Sequence, residues 1–227
     1  MCYVGKDNLD VMSEAHVYND YLLASLEKSI GQFQMKILDF GAGKGEFADK
    51  VQEVFEKCEI IALEPDKSLL CCSSKIDRKT ALGDINDGSL DLIYSFNVLE
   101  HIENDTETLA QLYDKLKKNG KLVLYVPAFP CLYSEMDRKV GHWRRYTKKE
   151  LVAKVQKAGF KIVSCHYKDG IGWFASWLYK LQKNSHGNIN PRLLKFYDKW
   201  VMPFSILWDK IIFGLVLGKN IWLEAQK

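Results

Sequence analysis

The stretch KILDFGAGKGEF, residues 36–47, decides how the rest of this chain folds. It begins with a short apolar run that is typical of a buried strand, and a helical pattern follows over Glu46–Phe55. Between them stand Gly41, Gly43 and Gly45, which allow a tight turn and let a ligand approach the backbone closely. The start of the helix presents free amides that suit a carboxylate or a phosphate. The stretch therefore predicts a strand, a glycine turn and a helix that together bind a nucleotide.

The spacing of the glycines separates the classes of nucleotide. The run from Asp39 to Gly45 reads DxGxGxG, whereas dinucleotide-binding turns read GxGxxG and triphosphate loops read GxxxxGK[ST]. Glu64 follows Gly45 by 19 residues and ends the second apolar run. From that position a carboxylate can accept both hydroxyls of a ribose. The pattern disfavours NAD and ATP as ligands. Glu64 still predicts a site for a ribose.

Outside this stretch, strand and helix patterns alternate along the chain. The predicted strands are Lys36–Phe40, Glu59–Leu63, Asp91–Phe96, Lys121–Val126, Phe160–Cys165 and Asn220–Ala225. The predicted helices are Ser13–Ile30, Glu46–Phe55, Ser68–Lys75, Thr106–Lys118 and a helix that Thr147 caps and that runs to Ala158. This alternation predicts an α/β fold with a mostly parallel sheet and helices on both faces.

The segment Gly170–Lys219 interrupts the alternation with two aromatic-rich helical patterns. Pro203 and the pair Asp209-Lys210 divide its apolar run into pieces too short to cross a bilayer. Packing in the core is the favoured interpretation of its apolar periodicity, carried by Trp200, Phe204, Leu207, Ile211 and Leu215. A membrane-surface role stays open because of the aromatic residues Trp173, Phe174 and Trp177. Covering an active site and ordinary packing against the sheet are equal alternatives.

Composition bounds the kind of protein. The chain has 227 residues, of which 47% are hydrophobic and 27% charged, as expected of a globular protein. The net charge of +3 falls short of the basic surface of a nucleic-acid binder, so no nucleic-acid partner is expected. The six cysteines show no CxxC pair or zinc-ligand spacing, and no secretory signal is recognised. We expect free thiols and a cytoplasmic location, with contact at a membrane surface as an addition.

Four parts of the sequence resemble successive motifs of class I S-adenosylmethionine-dependent methyltransferases. They are DFGAGKG at 39–45, Glu64, GDI at 83–85 and SFNVLEH at 95–101, and the resemblance spans residues 15–165. It implies a Rossmann-like, seven-stranded, mostly parallel sheet with a helical insertion before the last strand. The implied single domain has a helical lid over 13–35, a core over 36–169, an insertion over 170–218 and a final strand over 219–227.

The resemblance also implies a cofactor, S-adenosylmethionine, with S-adenosylhomocysteine as the product. Asp39 and the glycine turn, which includes Ala42, would hold its methionine part. Glu64, with Pro65 beside it, would bind the ribose, and Asp84 with the Ile85 backbone would bind the adenine. Asn97 would line the floor, and Tyr18 would belong to a lid over the cofactor. A turn stabilised by the Asp84 side chain is the competing interpretation of that aspartate.

A second cluster, DRKVGHWRRY at 137–146, follows the strand that ends near Pro127. Long loops in compact domains are usually functional, and this loop can reach the mouth of the cofactor cleft. His142 suits a general base, while Arg144 and Arg145 suit an acidic group of a substrate. Tyr146 and His101 complete the candidate catalytic residues, and no metal is expected. A basic loop that pairs with nearby acids, and a packed His101, are the alternatives.

The D…GH.RRYT pattern of this loop resembles methyltransferases associated with polysaccharide or glycolipid biosynthesis. The sequence thus favours methyl transfer to a small-molecule, sugar or lipid-linked acceptor. An RNA or protein methyltransferase is the second hypothesis, but the modest charge and SFNV in place of a (D/N)PP(Y/F) motif disfavour it. A cofactor-binding protein at the membrane surface without turnover is the third. The oligomeric state is not indicated.

Overall fold

The computed structural model describes residues 11–31, 34–69, 76–181, 191–212 and 216–227. Its strands are β1 (Lys36–Phe40), β2 (Glu59–Leu63), β3 (Asp77–Lys79), β4 (Leu90–Phe96), β5 (Leu116–Pro127), β6 (Lys161–Lys168) and β7 (Asn220–Gln226). Its helices are α1 (His16–Glu27), α2 (Glu46–Val54), α3 (Asp105–Lys115), α4 (Glu135–Val140), α5 (Lys148–Lys157), α6 (Gly170–Leu181), α7 (Pro191–Phe196) and α8 (Met202–Ile212). A π-helical turn, Tyr197–Val201, joins α7 to α8.

The strands form one sheet in the order β3-β2-β1-β4-β5-β7-β6. Only β7 runs antiparallel to its neighbours, since it pairs with β5 on one side and β6 on the other. The order reverses beside β1, which lies between β2 and β4. Ligands of such sheets bind beyond the carboxyl ends of the strands at the reversal. The predicted seven-stranded, mostly parallel sheet is confirmed.

Both faces of the sheet are covered, as the alternation predicts. Successive residues of a strand point to opposite faces, so Ile37 and Leu38 enter different cores. Leu38 packs in the core that α3 and α5 complete. Ile37 packs in the core that α1 and α2 complete, with Leu26 of α1 fully buried.

The structure differs from the prediction in several places. β3 went unpredicted because its residues, DRK, carry no apolar alternation. The predicted helix to Lys118 ends at Lys115, because Leu116 already pairs with Leu90 as part of β5. Asn119, at φ 66°, lies in an irregularity of that strand instead of ending a helix. The predicted helix Ser68–Lys75 lies largely outside the described residues.

The insertion between β6 and β7 leaves the sheet and returns to it at the same place, so its two ends lie side by side. Lys168, the last residue of β6, pairs with Asn220, the first residue of β7. The Lys219 amide then donates to the Asp169 carbonyl at 2.9 Å. Within the described ranges, no helix is both long enough and apolar enough to cross a membrane.

The helix from α7 through α8 does not bury its apolar stripe, so the predicted core packing is wrong. Trp200, Phe204, Leu207 and Ile211 are each more than half exposed, and Leu215 lies outside the described residues. The π turn directly precedes Pro203, whose missing amide and ring disrupt the ordinary helical bonds to the preceding turn.

The free thiols predicted from the sequence are confirmed for Cys131 and Cys165, and Cys58 is buried. The other three cysteines, Cys2, Cys71 and Cys72, lie outside the described residues.

Candidate cofactor and acceptor site

The glycine turn after β1 has the backbone that its sequence predicts. Gly41, Gly43 and Gly45 all have positive φ, at 84°, 55° and 85°. A Cβ on Gly41 would lie 2.3 Å from the Val98 side chain, and a Cβ on Gly45 would lie 2.6 Å from the guanidinium of Arg78. Gly41 is therefore required for both conformation and space, whereas at Gly45 the positive φ is the constraint, since the end of the Arg78 side chain can move.

Glu64 connects the end of β2 to this turn. One carboxylate oxygen accepts the Gly43 amide at 3.0 Å, and the other accepts the Asp66 amide at 2.9 Å. Glu64 is half-buried, and Pro65 after it is exposed. Each carboxylate oxygen has a second acceptor position, so the group can still take the two hydroxyls of a ribose. The arrangement fits the ribose assignment.

Asp39 lies beneath the turn and is only 5% exposed. Its burial raises the pKa to about 7, and the nearby charge of Glu64 acts in the same direction. A cationic amino group beside this carboxyl would favour its ionised form. The residue therefore fits the ammonium end of a methionine moiety.

Asp84 and Ile85, the residues of the predicted adenine site, lie between β3 and β4. Asp84 ends a 3₁₀ turn, Leu82–Asp84, and is exposed. Its carboxylate makes no hydrogen bond within the described ranges, so the competing turn-stabilising role has no bond to support it there. The Ile85 amide donates to the Leu82 carbonyl at 3.2 Å and would have to share that bond with a ligand. The adenine assignment stays a prediction.

The structure brings the predicted floor and lid residues together. The Asn97 side-chain amide donates to the Tyr18 hydroxyl at 3.4 Å, and Asn97 itself has φ 55°. The Tyr18 ring packs edge-on against Tyr125, with the centroids 6.2 Å apart. Burial raises the pKa of Tyr18 to about 12, so its hydroxyl stays protonated. Tyr18 thus reaches the carboxyl end of β4 from α1.

The loop after β5 is organised around Asp137, which is 2% exposed. Its carboxylate accepts from Nε of Arg145 at 2.9 Å and lies 2.8 Å from Nδ1 of His142. Burial opposes ionisation, yet the bonds from His142 and Arg145 hold the pKa of Asp137 below its usual range. An ionised carboxylate can only accept, so the contact with Asp137 is one in which Nδ1 of His142 donates.

Nε2 of His142 faces a buried acid. It lies 3.9 Å from Oε1 of Glu100, which is fully buried and has no hydrogen-bond partner on either oxygen among the described residues. Burial raises the pKa of Glu100 to about 8. The ring of His101 lies 4.5 Å from that of His142, and burial, followed by the charge of His142, lowers the pKa of His101 to about 4.

Potential ligand atoms of Glu100, His101 and His142 lie within 4.8 Å of one another. This geometry could hold a divalent cation, although the sequence predicts no metal. That expectation remains a prediction.

Tyr146 belongs to a neighbouring cluster around Asp105. Its buried hydroxyl donates to Asp105 at 2.9 Å, and Arg144 contacts the same carboxylate at 2.8 Å. Lys154 joins them at 2.7 Å. His142, His101 and Arg145 therefore form one group and Tyr146 another. Pairing of the arginines with nearby acids, an alternative in the sequence, occurs in the structure.

Sequence reasoning did not single out three acids as site residues: Glu100, Asp105 and Asp137. Glu100 and Asp137 belong to the motifs SFNVLEH and D…GH.RRYT, but the motifs did not predict a role for either acid. Asp105 stands outside both motifs, and nothing local distinguishes it from an ordinary acid in the first turn of a helix.

Known proteins that resemble this chain include methyltransferases. Residues 15–165 match the family described as "Methyltransferase domain". A trans-aconitate 2-methyltransferase of Deinococcus radiodurans is 28% identical over 98 residues, which are 41% of this chain and 38% of that protein. The chain therefore matches less than half of that relative's length.

Two solved structures share the fold. A SAM-dependent methyltransferase from Archaeoglobus fulgidus has a TM-score of 0.60 at 19% identity, with 92% of this chain and 94% of that chain covered. Phosphoethanolamine N-methyltransferase 2 of Haemonchus contortus, solved with S-adenosyl-L-methionine, has a TM-score of 0.61 at 16% identity. That match covers 92% of this chain and 52% of the other. At these identities the likeness concerns the fold.

Proposed function

Because this chain belongs to the methyltransferase domain family and is an S-adenosylmethionine-dependent enzyme, we propose that it methylates a hydroxyl group. The proposed acceptor is a small molecule, a sugar or a lipid-linked molecule that carries an acidic group. The supporting observation is the hydrogen-bonded pair of Asp137 and His142 beyond the carboxyl ends of β4 and β5.

Bound S-adenosylmethionine supplies an activated methyl group, so the protein has to align the acceptor, exclude water and remove a proton. His142 is suited to the last task. Its Nδ1–H donates to Asp137, which fixes the ring and leaves Nε2 to accept the proton of the acceptor hydroxyl. His101, held neutral by burial, packs against this ring and limits its rotation.

Arg145 is the proposed partner for the acidic group of the acceptor. Nε of Arg145 donates to Asp137, and its Nη1 lies 3.5 Å from the Ala128 carbonyl oxygen. Nη2 makes no hydrogen bond to the described residues, so it is the proposed donor to a carboxylate or phosphate. Arg144 and Tyr146 are tied to Asp105, and we assign them to holding the loop in place.

The name of one relative supports an acidic acceptor, since aconitate is a small anion. A cytoplasmic location and contact with a membrane surface belong to the same proposal, because lipid-linked acceptors are presented at a bilayer. RNA and protein acceptors are disfavoured by the modest net charge of +3.

The experiment separates binding from transfer. S-Adenosylhomocysteine binding is measured by calorimetry, and transfer of a labelled methyl group is measured with extracted acidic metabolites, sugars and polar lipids. The variant His142→Ala should keep its affinity for S-adenosylhomocysteine and lose about 10²- to 10⁴-fold in turnover. His166→Ala, a half-buried histidine on β6, serves as the control. Unchanged turnover in His142→Ala would remove the base assignment.

A further inference from the structure

The continuous helix from Pro191 to Ile212 has an unusual polarity. Its inward side carries Asp198, Met202 and Ser205, all buried, together with the half-buried Asp209. Its outward side carries seven large apolar residues at helical spacing, and each is between 37% and 67% exposed. They are Leu193, Phe196, Trp200, Phe204, Leu207, Trp208 and Ile211. Ordinary surface helices show the opposite arrangement.

Hydrogen bonds fix this orientation. Ser205 donates to Asp169 at 2.7 Å, and Asp209 accepts the Tyr21 hydroxyl at 2.8 Å. Asp198 accepts the Tyr18 amide at 2.9 Å. Rotating the helix to bury its apolar side would leave these groups without partners, which is unfavourable for buried polar groups. The hydrogen bonds of the inward side therefore keep the apolar side of the helix exposed.

The neighbouring helix α6 extends the same surface. Its exposed residues Phe174, Trp177 and Leu178 are spaced by three and four positions. The two helices pack closely, because a Cβ on Gly170 would lie 2.2 Å from the Trp208 ring. We call the ten exposed residues of both helices the outer apolar face. Contiguous exposed apolar surfaces of this kind mark interaction sites.

The exposed charged residues that these two helices carry all have the same sign. The acids of the helix, Asp198 and Asp209, both bond inward. Its exposed charged residues are Arg192, Lys195, Lys199 and Lys210, and the single charged residue of α6 is Lys180. Lys195 pairs with Glu14 at the rim. The surface thus combines aliphatic and tryptophan side chains with cations and turns its own acids away.

We propose that the outer apolar face binds the surface of an anionic phospholipid bilayer, with α6 and α8 lying in the interface. An interfacial helix has this combination of apolar, aromatic and cationic residues, and anionic lipids attract the cations. A second copy of the chain is a poorer occupant, because symmetric pairing would place the same cations near one another. The inference extends the proposed lipid-linked acceptor.

Vesicle flotation tests this inference without any measurement of turnover. Full-length protein should float with vesicles of phosphatidylglycerol and phosphatidylcholine and remain below vesicles of phosphatidylcholine alone. Added salt should weaken the binding. The double variant Phe204→Ser/Ile211→Ser should bind at least about tenfold more weakly. Val54→Ser/Val163→Ser removes exposed apolar side chains elsewhere and should bind as the parent does.

Two outcomes would overturn the inference. One is a parent protein that fails to float with anionic vesicles while still binding S-adenosylhomocysteine. The other is a dimer in light scattering that the double variant abolishes, with no vesicle binding by the parent. Cofactor binding by both double variants shows that they are folded. A failure of the proposed function would show instead as lost cofactor binding or absent transfer, whatever the vesicles do.

Discussion

The backbone amide of Tyr18 donates to the Asp198 carboxylate at 2.9 Å, which joins the first helix to the insertion between β6 and β7. The Val17 amide donates to the other oxygen of the same carboxylate at 3.0 Å. α1 has no side-chain cap of its own, because Ala15 stands at the capping position. Asp198 therefore supplies the cap from a distant part of the chain.

This relationship predicts the behaviour of Asp198→Ala. Loss of the cap should reduce the free energy of unfolding by about 1–2 kcal/mol. It should also weaken binding of S-adenosylhomocysteine, because the Tyr18 hydroxyl would no longer be held against Asn97. Thermal unfolding and calorimetry measure the two effects. Asp20→Ala, an exposed acid on the same helix, is the control, and equal effects of both variants would contradict the capping role.

The ribose assignment predicts that Glu64→Gln weakens S-adenosylhomocysteine binding by about tenfold to a hundredfold, since hydrogen bonds to a charged acceptor contribute about 1.5–3 kcal/mol. Calorimetry gives the affinity. Glu59→Gln changes a more exposed carboxylate at the other end of β2 and should leave the affinity unchanged. An unaltered affinity in Glu64→Gln would place the ribose elsewhere.

The glycine turn predicts a contrast between two glycines. Gly41→Ala should destabilise the fold by about 1–3 kcal/mol, because it combines a positive φ with a clash against Val98. Gly83→Ala should be nearly neutral, since no atom lies within 4 Å of the added carbon. Chemical denaturation compares the two variants. Equal midpoints would show that the turn relaxes without cost.

The raised pKa of Asp39 predicts a pH dependence of cofactor binding. A cationic ligand group binds the ionised carboxyl, so the affinity for S-adenosylhomocysteine should fall as the pH drops below about 7. For stability the sign is opposite. The unfolded carboxyl ionises at lower pH than the folded one, so the folded state holds more protons between pH 3.8 and about 7. Stability from this group therefore declines as the pH rises through that window.

Calorimetry between pH 6 and 8, in two buffers of different ionisation enthalpy, detects the proton released on binding. Asp39→Asn should bind more weakly and lose the pH dependence over that range. If the parent releases no proton at pH 6, the carboxyl does not contact the cationic part of the ligand.

Local features of this protein were predictable from its sequence, and contacts between distant segments were not. The turn at Gly41, Gly43 and Gly45 depends only on residues that are close together in the sequence. The spacing of its glycines was therefore sufficient to predict it. Asp198 and Tyr18 are 180 positions apart, and no local pattern connects them. No sequence pattern identifies Asp137 as the partner of both His142 and Arg145 either. These contacts form only when the loop folds.

The outer apolar face shows a different limit. Periodicity at Trp200, Phe204 and Ile211 identified one face of a helix, but it could not tell which way that face points. The opposite stripe of Asp198, Ser205 and Asp209 was equally visible in the sequence. Only its partners, Tyr18, Asp169 and Tyr21, make it the inward side.

The closure of the insertion at its base has a consequence for how such a protein can change. Its two ends meet through the bond between Lys219 and Asp169, next to the pairing of Lys168 with Asn220. A segment that leaves and returns at one point can be shortened, lengthened or exchanged while the strand register is kept. The outward residues of this segment can therefore change while the strand register is kept, provided that Asp198 still caps α1.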